Sequence, residues 1–508
     1  MRALWATVLI SMALVCAALL GCAGRDGRTS TGSGAGQREV WIRDVTLISP
    51  ERPQPLSGAH VHLRAGRIAW VGTTRPPELS PGATEIDGTG RFLVPGLIDG
   101  HVHLSDVPGV NAEQLSAMPA MTEAYFRQLP RSYLYFGFTA LVDLCVVDRE
   151  RTDSIRAAAI GPAIFDCGGG MPVANGYPML FAPPEVRFSM FSNFLHDPRQ
   201  AGATPPPYPP AEHTPAAAVA RVASAGGICV KTYFEPGRGG PLGQLPVPTA
   251  ALIGDVVVAA HGRRLPVLLH ANSLTAHRFA VDTKVDAVAH GLWRWETDAP
   301  PGQIPPAVRQ VLDDEVRTGI AMMATNRIFS GIRDLFDPEF LVDPQLARVL
   351  PADLLSWYRS EAGRWYVRAV GGDAEGRPPE PVRQMLREVG DAGRAATAYF
   401  ASHGGRLLFG SDTPSEPTYA NPPGYNGYLE LRELESSGVS PRQILDAATR
   451  ANAEFFGLAR DFGTIEPGKR ASLLLLRADP LASTSAFDTI ELVIVGGQVV
   501  PRSSLAAR

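Results

Sequence analysis

Residues 94–104 read VPGLIDGHVHL. The apolar run over 96–101 fits a short buried strand, and it closes on His101 and His103. Positions i and i+2 of an extended chain point the same way, so both imidazoles can face one ion. A solvated polar pair would read the same, so the motif gains its weight from the rest of the chain. Seven further short apolar runs lie at 139–144, 163–167, 227–231, 266–270, 287–290, 320–324 and 407–410. Helical patterns separate many of them, as at 273–282 and 305–318, and Ser440-Pro441-Arg442-Gln443 reads as a capped helix start. Eight strands alternating with helices predict an α/β fold built on a parallel (β/α)8 barrel, a TIM barrel.

The polar residues at the ends of these runs repeat one placement. His270 ends LPVLLH and His290 ends VDAVAH. Any one of them could be a satisfied core histidine. Four histidines at strand ends on the catalytic face of a barrel make that reading poor. Asp412 follows the last run (LLFGSD). It could be a turn or cap residue, or a carboxylate that ligates a metal and takes a proton. Lys231 ends GICVK and is one of only three lysines among 47 basic residues. A neutral amine can add carbon dioxide to give an anionic carbamate, whereas a guanidinium stays charged. The competing readings are a snorkelling lysine or a salt bridge to Glu235.

Outward from the barrel, both ends of the chain are β-rich: 40–48, 59–63, 67–72, 83–87 and 91–94, then 471–477 and 490–495. They predict a small flanking β-sandwich completed by both termini, over 39–94 and 461–508, around a barrel over 95–460. Two stretches break the rhythm. Residues 182–217 are too Pro-rich for a regular element, and 326–400 are long, polar and partly helical. Both suit either loops enclosing a substrate or surface decoration.

Residues 1–21 read as an export leader, with Arg2 before an uncharged apolar run. Leu19-Leu20-Gly21-Cys22 is similar to the lipobox of bacterial lipoproteins, with Cys22 lipidated. That predicts anchoring to the cell envelope by lipid, over an ordinary cleaved signal or one anchor helix. Residues 23–38 are Gly/Ser/Thr-rich and read as a flexible tether. Cys145, Cys167 and Cys229 then remain, each in an apolar setting that predicts buried free thiols and no disulfide framework. With 508 residues, 45% hydrophobic and a net charge of −4, the chain is neither disordered nor a dedicated nucleic-acid binder. After the leader no apolar run is long enough to span a membrane.

The ordered set His101, His103, Lys231, His270, His290 and Asp412 resembles the amidohydrolase superfamily. GFTALVDL, GSDTP, ATRANAEFFGL and GTIEPGKRASLLLL add to the likeness, which covers nearly the whole chain after the tether. It is nearest to the imidazolonepropionase-like and Xaa-Pro dipeptidase-like members. The resemblance implies a distorted (β/α)8 barrel holding two divalent metal ions, zinc first among them. It places His101 and His103 on the buried ion, His270 and His290 on the exposed one, and carboxylated Lys231 (N6-carboxylysine) between them. Asp412 would ligate the buried ion and act as the catalytic proton carrier. The implied reaction is attack of a metal-activated hydroxide on an amide-type C–N bond, with dipeptides or N-acyl amino acids as candidate substrates. Within the fold the alternative is a one-metal cyclic-amide hydrolase or deaminase. Outside it stands a non-catalytic surface-anchored binding lipoprotein. Tyr233 and Arg238, just past Lys231, are open to substrate contact or to turn and surface roles. One feature departs from the dipeptidase-like pattern: Cys167-Gly168-Gly169-Gly170-Met171 stands where relatives carry Gly-Gly-His.

Overall fold

A computed structural model describes residues 39–76, 79–200, 204–205, 207–237, 244–297, 303–371, 379–415 and 418–508. The expected leader, Cys22, the tether and Arg238 lie outside the described residues. Near the start, β1 (Val40–Leu47), β2 (Leu56–Arg64), β3 (Arg67–Gly72), β4 (Thr84–Asp87) and β5 (Phe92–Pro95) follow one another. In β1 the buried side chains are Val40 and Ile42, then Val45 and Leu47. The alternation slips by one residue at Asp44, whose φ is +54°, and the pairing with β2 shifts register at that point. A bulge therefore keeps both apolar pairs on the core face.

The middle of the chain supplies eight short strands. These are β6 (Leu97–Val102), β7 (Phe138–Asp143), β8 (Ala163–Asp166), β9 (Val230–Tyr233), β10 (Val267–His270), β11 (Ala287–Ala289), β12 (Ala321–Met323) and β13 (Leu407–Leu408). All the pairings among them are parallel, with helices between most, so the class is α/β as expected. The ladders form two sheets, ordered β6-β7-β8 and β13-β12-β11-β10-β9, rather than one closed sheet. Backbone bonds cross between them, among them Ile228 N–H to Asp166 O (2.9 Å), Met171 N–H to Lys231 O (2.8 Å) and Gly100 N–H to Phe409 O (3.0 Å). The result is a barrel-like body.

The last strands, β14 (Leu473–Leu476), β15 (Ile490–Val495) and β16 (Gln498–Pro501), return to the first ones. Both ends of the chain together build one hydrogen-bonded eight-stranded sheet, ordered β16-β15-β14-β5-β1-β2-β3 with β4 on β1. Ile68 N–H bonds Lys469 O at 2.9 Å, bringing β3 against the stretch before β14. The four leucines of β14 are buried on both faces. Leu473 and Leu475 enter the sheet's own core, while Leu474 and Leu476 join the main core. A strand buried on both faces needs no polar alternation, which explains the run of Leu.

The cysteine expectation fails. Cys167 and Cys229 form a disulfide, with Cα atoms 4.5 Å apart, and among the described residues Cys145 is the free thiol, and it is buried. An apolar neighbourhood reports burial, but pairing depends on the third dimension: Cys167 follows β8 and Cys229 precedes β9. The Pro-rich stretch also corrects the expectation at its end. Short 3-10 turns such as Pro210–His213 give way to a regular helix, Pro215–Ser224, capped by Thr214 with Pro at its first position. The described residues of 326–400 include the helices Arg327–Asp334, Ala352–Arg359 and Glu380–Ser402.

Candidate metal centre

Asp99 of β6 is fully buried and organises the seam with the segment after β13. Its carboxylate accepts from Ser411 N–H (2.9 Å), Ser411 Oγ (2.6 Å) and His101 N–H (3.2 Å). Burial pushes its carboxyl up to about 7 against these hydrogen bonds. Asp412 N–H donates to His101 O at 2.7 Å and His103 N–H to Thr413 O at 2.8 Å. Gly410 allows the approach, because a Cβ there would stand 2.6 Å from His101 Cβ and 2.3 Å from Met323 Sδ. Asp412 itself has φ +53°, a left-handed conformation that Asp tolerates better than most residues.

These constraints turn Asp412 toward both histidines of the His-Val-His motif. Asp412 Oδ1 lies 3.0 Å from Nε2 of His101 and 3.0 Å from Nε2 of His103. One ligand atom from each of the three residues falls within 4.8 Å of the others, a candidate His-His-Asp metal site. The second histidine pair adjoins the first. His270 Nδ1 and His290 Nε2 are 3.0 Å apart, His290 Nδ1 is 3.7 Å from Asp412 Oδ2, and the His101 and His290 rings stack at 5.3 Å.

The electrostatics suit cation binding. Burial pushes His101 down to about 3 and lowers His270 and His290, so these imidazoles are neutral, the form that ligates. Burial also disfavours charge on His103, but Asp412 outweighs it and raises that ring. The Asp412 carboxyl is driven up by burial, yet the charges and hydrogen bonds of His101 and His103 hold it well below the usual range. Lys231 is buried, its Nζ has no hydrogen-bond partner, and burial pushes the amine down to about 8 against the attraction of Asp412. An orphaned buried amine among neutral imidazoles and an ionised carboxylate fits a site that receives a metal.

The fold has the likeness of solved structures. A Xaa-Pro dipeptidase with bound methionine superimposes with a TM-score of 0.61 at 18% identity, covering 91% of this chain and 100% of that one. A solved amidohydrolase superimposes likewise, with a TM-score of 0.63 at 20% identity, covering 91% of this chain and 99% of that one. An amidohydrolase family model matches residues 355–501, a stretch holding Asp412 but none of the four site histidines. An adenine deaminase of Rubrobacter xylanophilus is 43% identical over 63 residues, 12% of this chain and 10% of that protein. An adenine deaminase of Moorella thermoacetica is 23% identical over 442 residues, 87% of this chain and 54% of that protein. The matches thus span a tenth to about half of these relatives. They make the chain similar in part to an amidohydrolase family and to adenine deaminases.

On this fold the remaining candidate residues sort by contact. Lys231 is the second residue of β9 rather than its last. The alternative salt bridge from Lys231 to Glu235 does not form; Glu235 pairs with Arg294 at 2.6 Å. Tyr233 lies at the site, its ring 5.8 Å from Lys231 Nζ and 6.0 Å from the His270 ring. At Gly170 a Cβ would meet Tyr233 Oη at 2.4 Å and Cys145 Sγ at 2.9 Å, so Tyr233 packs closely over this glycine. His277 is buried against Glu315 at 2.8 Å, away from the cluster, as a structural histidine should be. Sequence reading missed Tyr177, whose ring stacks on His270 at 4.3 Å, and Thr325, Asn272 and Arg294 around the second pair. They sit in loops past strand ends, where no periodicity marks them.

Proposed function

We propose that this chain is a metal-dependent amidohydrolase that cleaves an amide-type C–N bond, and that its eight central strands work as a distorted (β/α)8 barrel. The convergence of His101, His103, His270, His290 and Asp412, with the unpartnered amine of Lys231 buried alongside, carries this reading. His101, His103 and Asp412 would hold one divalent ion, zinc first among candidates, and His270 and His290 a second, with carboxylated Lys231 joining them. Such ions, when bound, lower the pKa of water and polarise a carbonyl. The chain's own residues supply the rest. With its amine down to about 8, Lys231 offers a neutral fraction that adds carbon dioxide with loss of one proton. Asp412, kept ionised, accepts a proton at its carboxylate and returns it to the leaving nitrogen. Tyr177, stacked on His270, and the buried Tyr233 wall the same side and keep water off it.

Dipeptides and N-acyl amino acids are the substrates we favour, in keeping with the Xaa-Pro dipeptidase likeness. The adenine deaminase matches favour a second reading, deamination at a one-metal centre. Assaying Xaa-Pro dipeptides, N-acyl amino acids, cyclic amides and adenine separates them. Cleavage of an acyclic amide, lost on chelation and restored by zinc, is the expected result. Ammonia release from adenine alone would shift the assignment to a deaminase. Inertness throughout would leave the binding lipoprotein.

Lipidation of Cys22 and a cell-envelope location complete the proposal. The Cys167–Cys229 disulfide fits an oxidising compartment. Palmitate labelling that persists in Cys22→Ser would refute the anchor. Among the described residues no helix is long and apolar enough to cross a membrane.

A further inference from the structure

The second histidine pair is held from behind. His270 Nδ1 and His290 Nε2 face each other at 3.0 Å. On its far side, His290 Nδ1 meets Thr325 Oγ1 at 2.7 Å, nearer than the Asp412 carboxylate at 3.7 Å. On the far side of His270, Nε2 lies 3.4 Å from Asn272 Nδ2 and 3.7 Å from Glu235 Oε2. Glu235 is itself clamped by Arg294, at 2.6 and 2.8 Å, and by Asn272 Nδ2 at 2.9 Å.

We infer that Thr325 and Glu235 are positioning residues that fix the tautomers of His290 and His270, so that His290 Nε2 and His270 Nδ1 present their lone pairs to one ion. This rests on the metal centre proposed above. An imidazole nitrogen that ligates must be unprotonated, so the ring proton moves to the other nitrogen and needs an acceptor there. For His290 Nδ1–H the near acceptor is the Thr325 hydroxyl. For His270 Nε2–H the choice is settled by Arg294. It donates to Asn272 Oδ1 and so turns the Asn272 amide nitrogen, which can only donate, toward the ring. Glu235 is left as the acceptor.

The backbone adds an independent sign that position 325 serves the site. Thr325 is fully buried and has φ +45°. A β-branched residue is rare in that conformation. Gly or Asn would adopt it more readily, but neither would bring a hydroxyl to His290.

The test is zinc affinity of the metal-stripped full-length protein, read by competition with a chromophoric chelator, so no turnover is needed. Thr325→Val keeps the β-branched shape and removes the hydroxyl, and Thr325→Ser restores the hydroxyl. Thr325→Val is expected to weaken one zinc by about 10- to 100-fold while sparing the other. Thr325→Ser should bind as the wild type does. Glu235→Gln should weaken the same ion, which keeps the test open if the valine variant misfolds. Wild-type affinity in both Thr325→Val and Glu235→Gln would overturn the inference while leaving the metal centre standing. Weak binding by a folded Thr325→Ser would also overturn it, since shape rather than the hydroxyl would then matter. Failure of the wild type to bind zinc would instead remove the metal centre on which the inference rests.

Discussion

Asp412→Asn is expected to leave the protein folded and to cut hydrolysis of its amide substrate by about 10²- to 10⁴-fold. The backbone at 412 has φ +53°, which Asn adopts as readily as Asp, and its N–H bond to His101 O is untouched. What the substitution removes is the negative charge facing His101 Nε2 and His103 Nε2, each 3.0 Å away, and the oxygen that takes up a proton. Steady-state kinetics beside a melting curve checks it. A loss below about tenfold in a folded variant would deny Asp412 the proton-carrier role.

Removing the Cys167–Cys229 link is expected to have the largest effect on stability. The bond closes a loop of 62 residues, for which the chain-entropy relation gives about 4 kcal/mol. Its place raises the stake. It joins the end of β8 to the residue before β9, at the seam where Ile228 N–H bonds Asp166 O and Met171 N–H bonds Lys231 O. Cys229 also stands two residues before Lys231, so a looser seam would loosen the site. Cys167→Ala with Cys229→Ala should lower the denaturation midpoint strongly. Dithiothreitol should lower the wild-type midpoint to the same value and leave the double variant unmoved. Equal midpoints with and without the bond would show that packing alone holds the seam.

The legible part of this molecule is the part that residue chemistry constrains. Candidate ligands at strand ends follow buried runs that cannot otherwise tolerate polar groups, so His101, His270, His290 and Asp412 could be read directly. Lys231 could be read because lysine is scarce in this chain. Strand limits were less legible: β13 shrinks to Leu407–Leu408 and β9 starts three residues after its expected start. β16 went unread because Pro501 ends it, and proline reads against a strand although an edge tolerates it. The disulfide, the stacked Tyr177, the Glu235–Arg294 pair and the Thr325 hydroxyl all depend on which loops meet in space. No local pattern encodes that.

Metal content per chain tests the central claim most directly. It would be read by elemental mass spectrometry on a soluble form beginning at Ala23, produced with zinc and bicarbonate, with Lys231→Arg in parallel. About two ions in the wild type and a sharp fall in the variant is the predicted result, because a guanidinium cannot become a carbamate. Absence of bound metal in the wild type, or about two ions retained in Lys231→Arg, would contradict a centre joined through carboxylated Lys231.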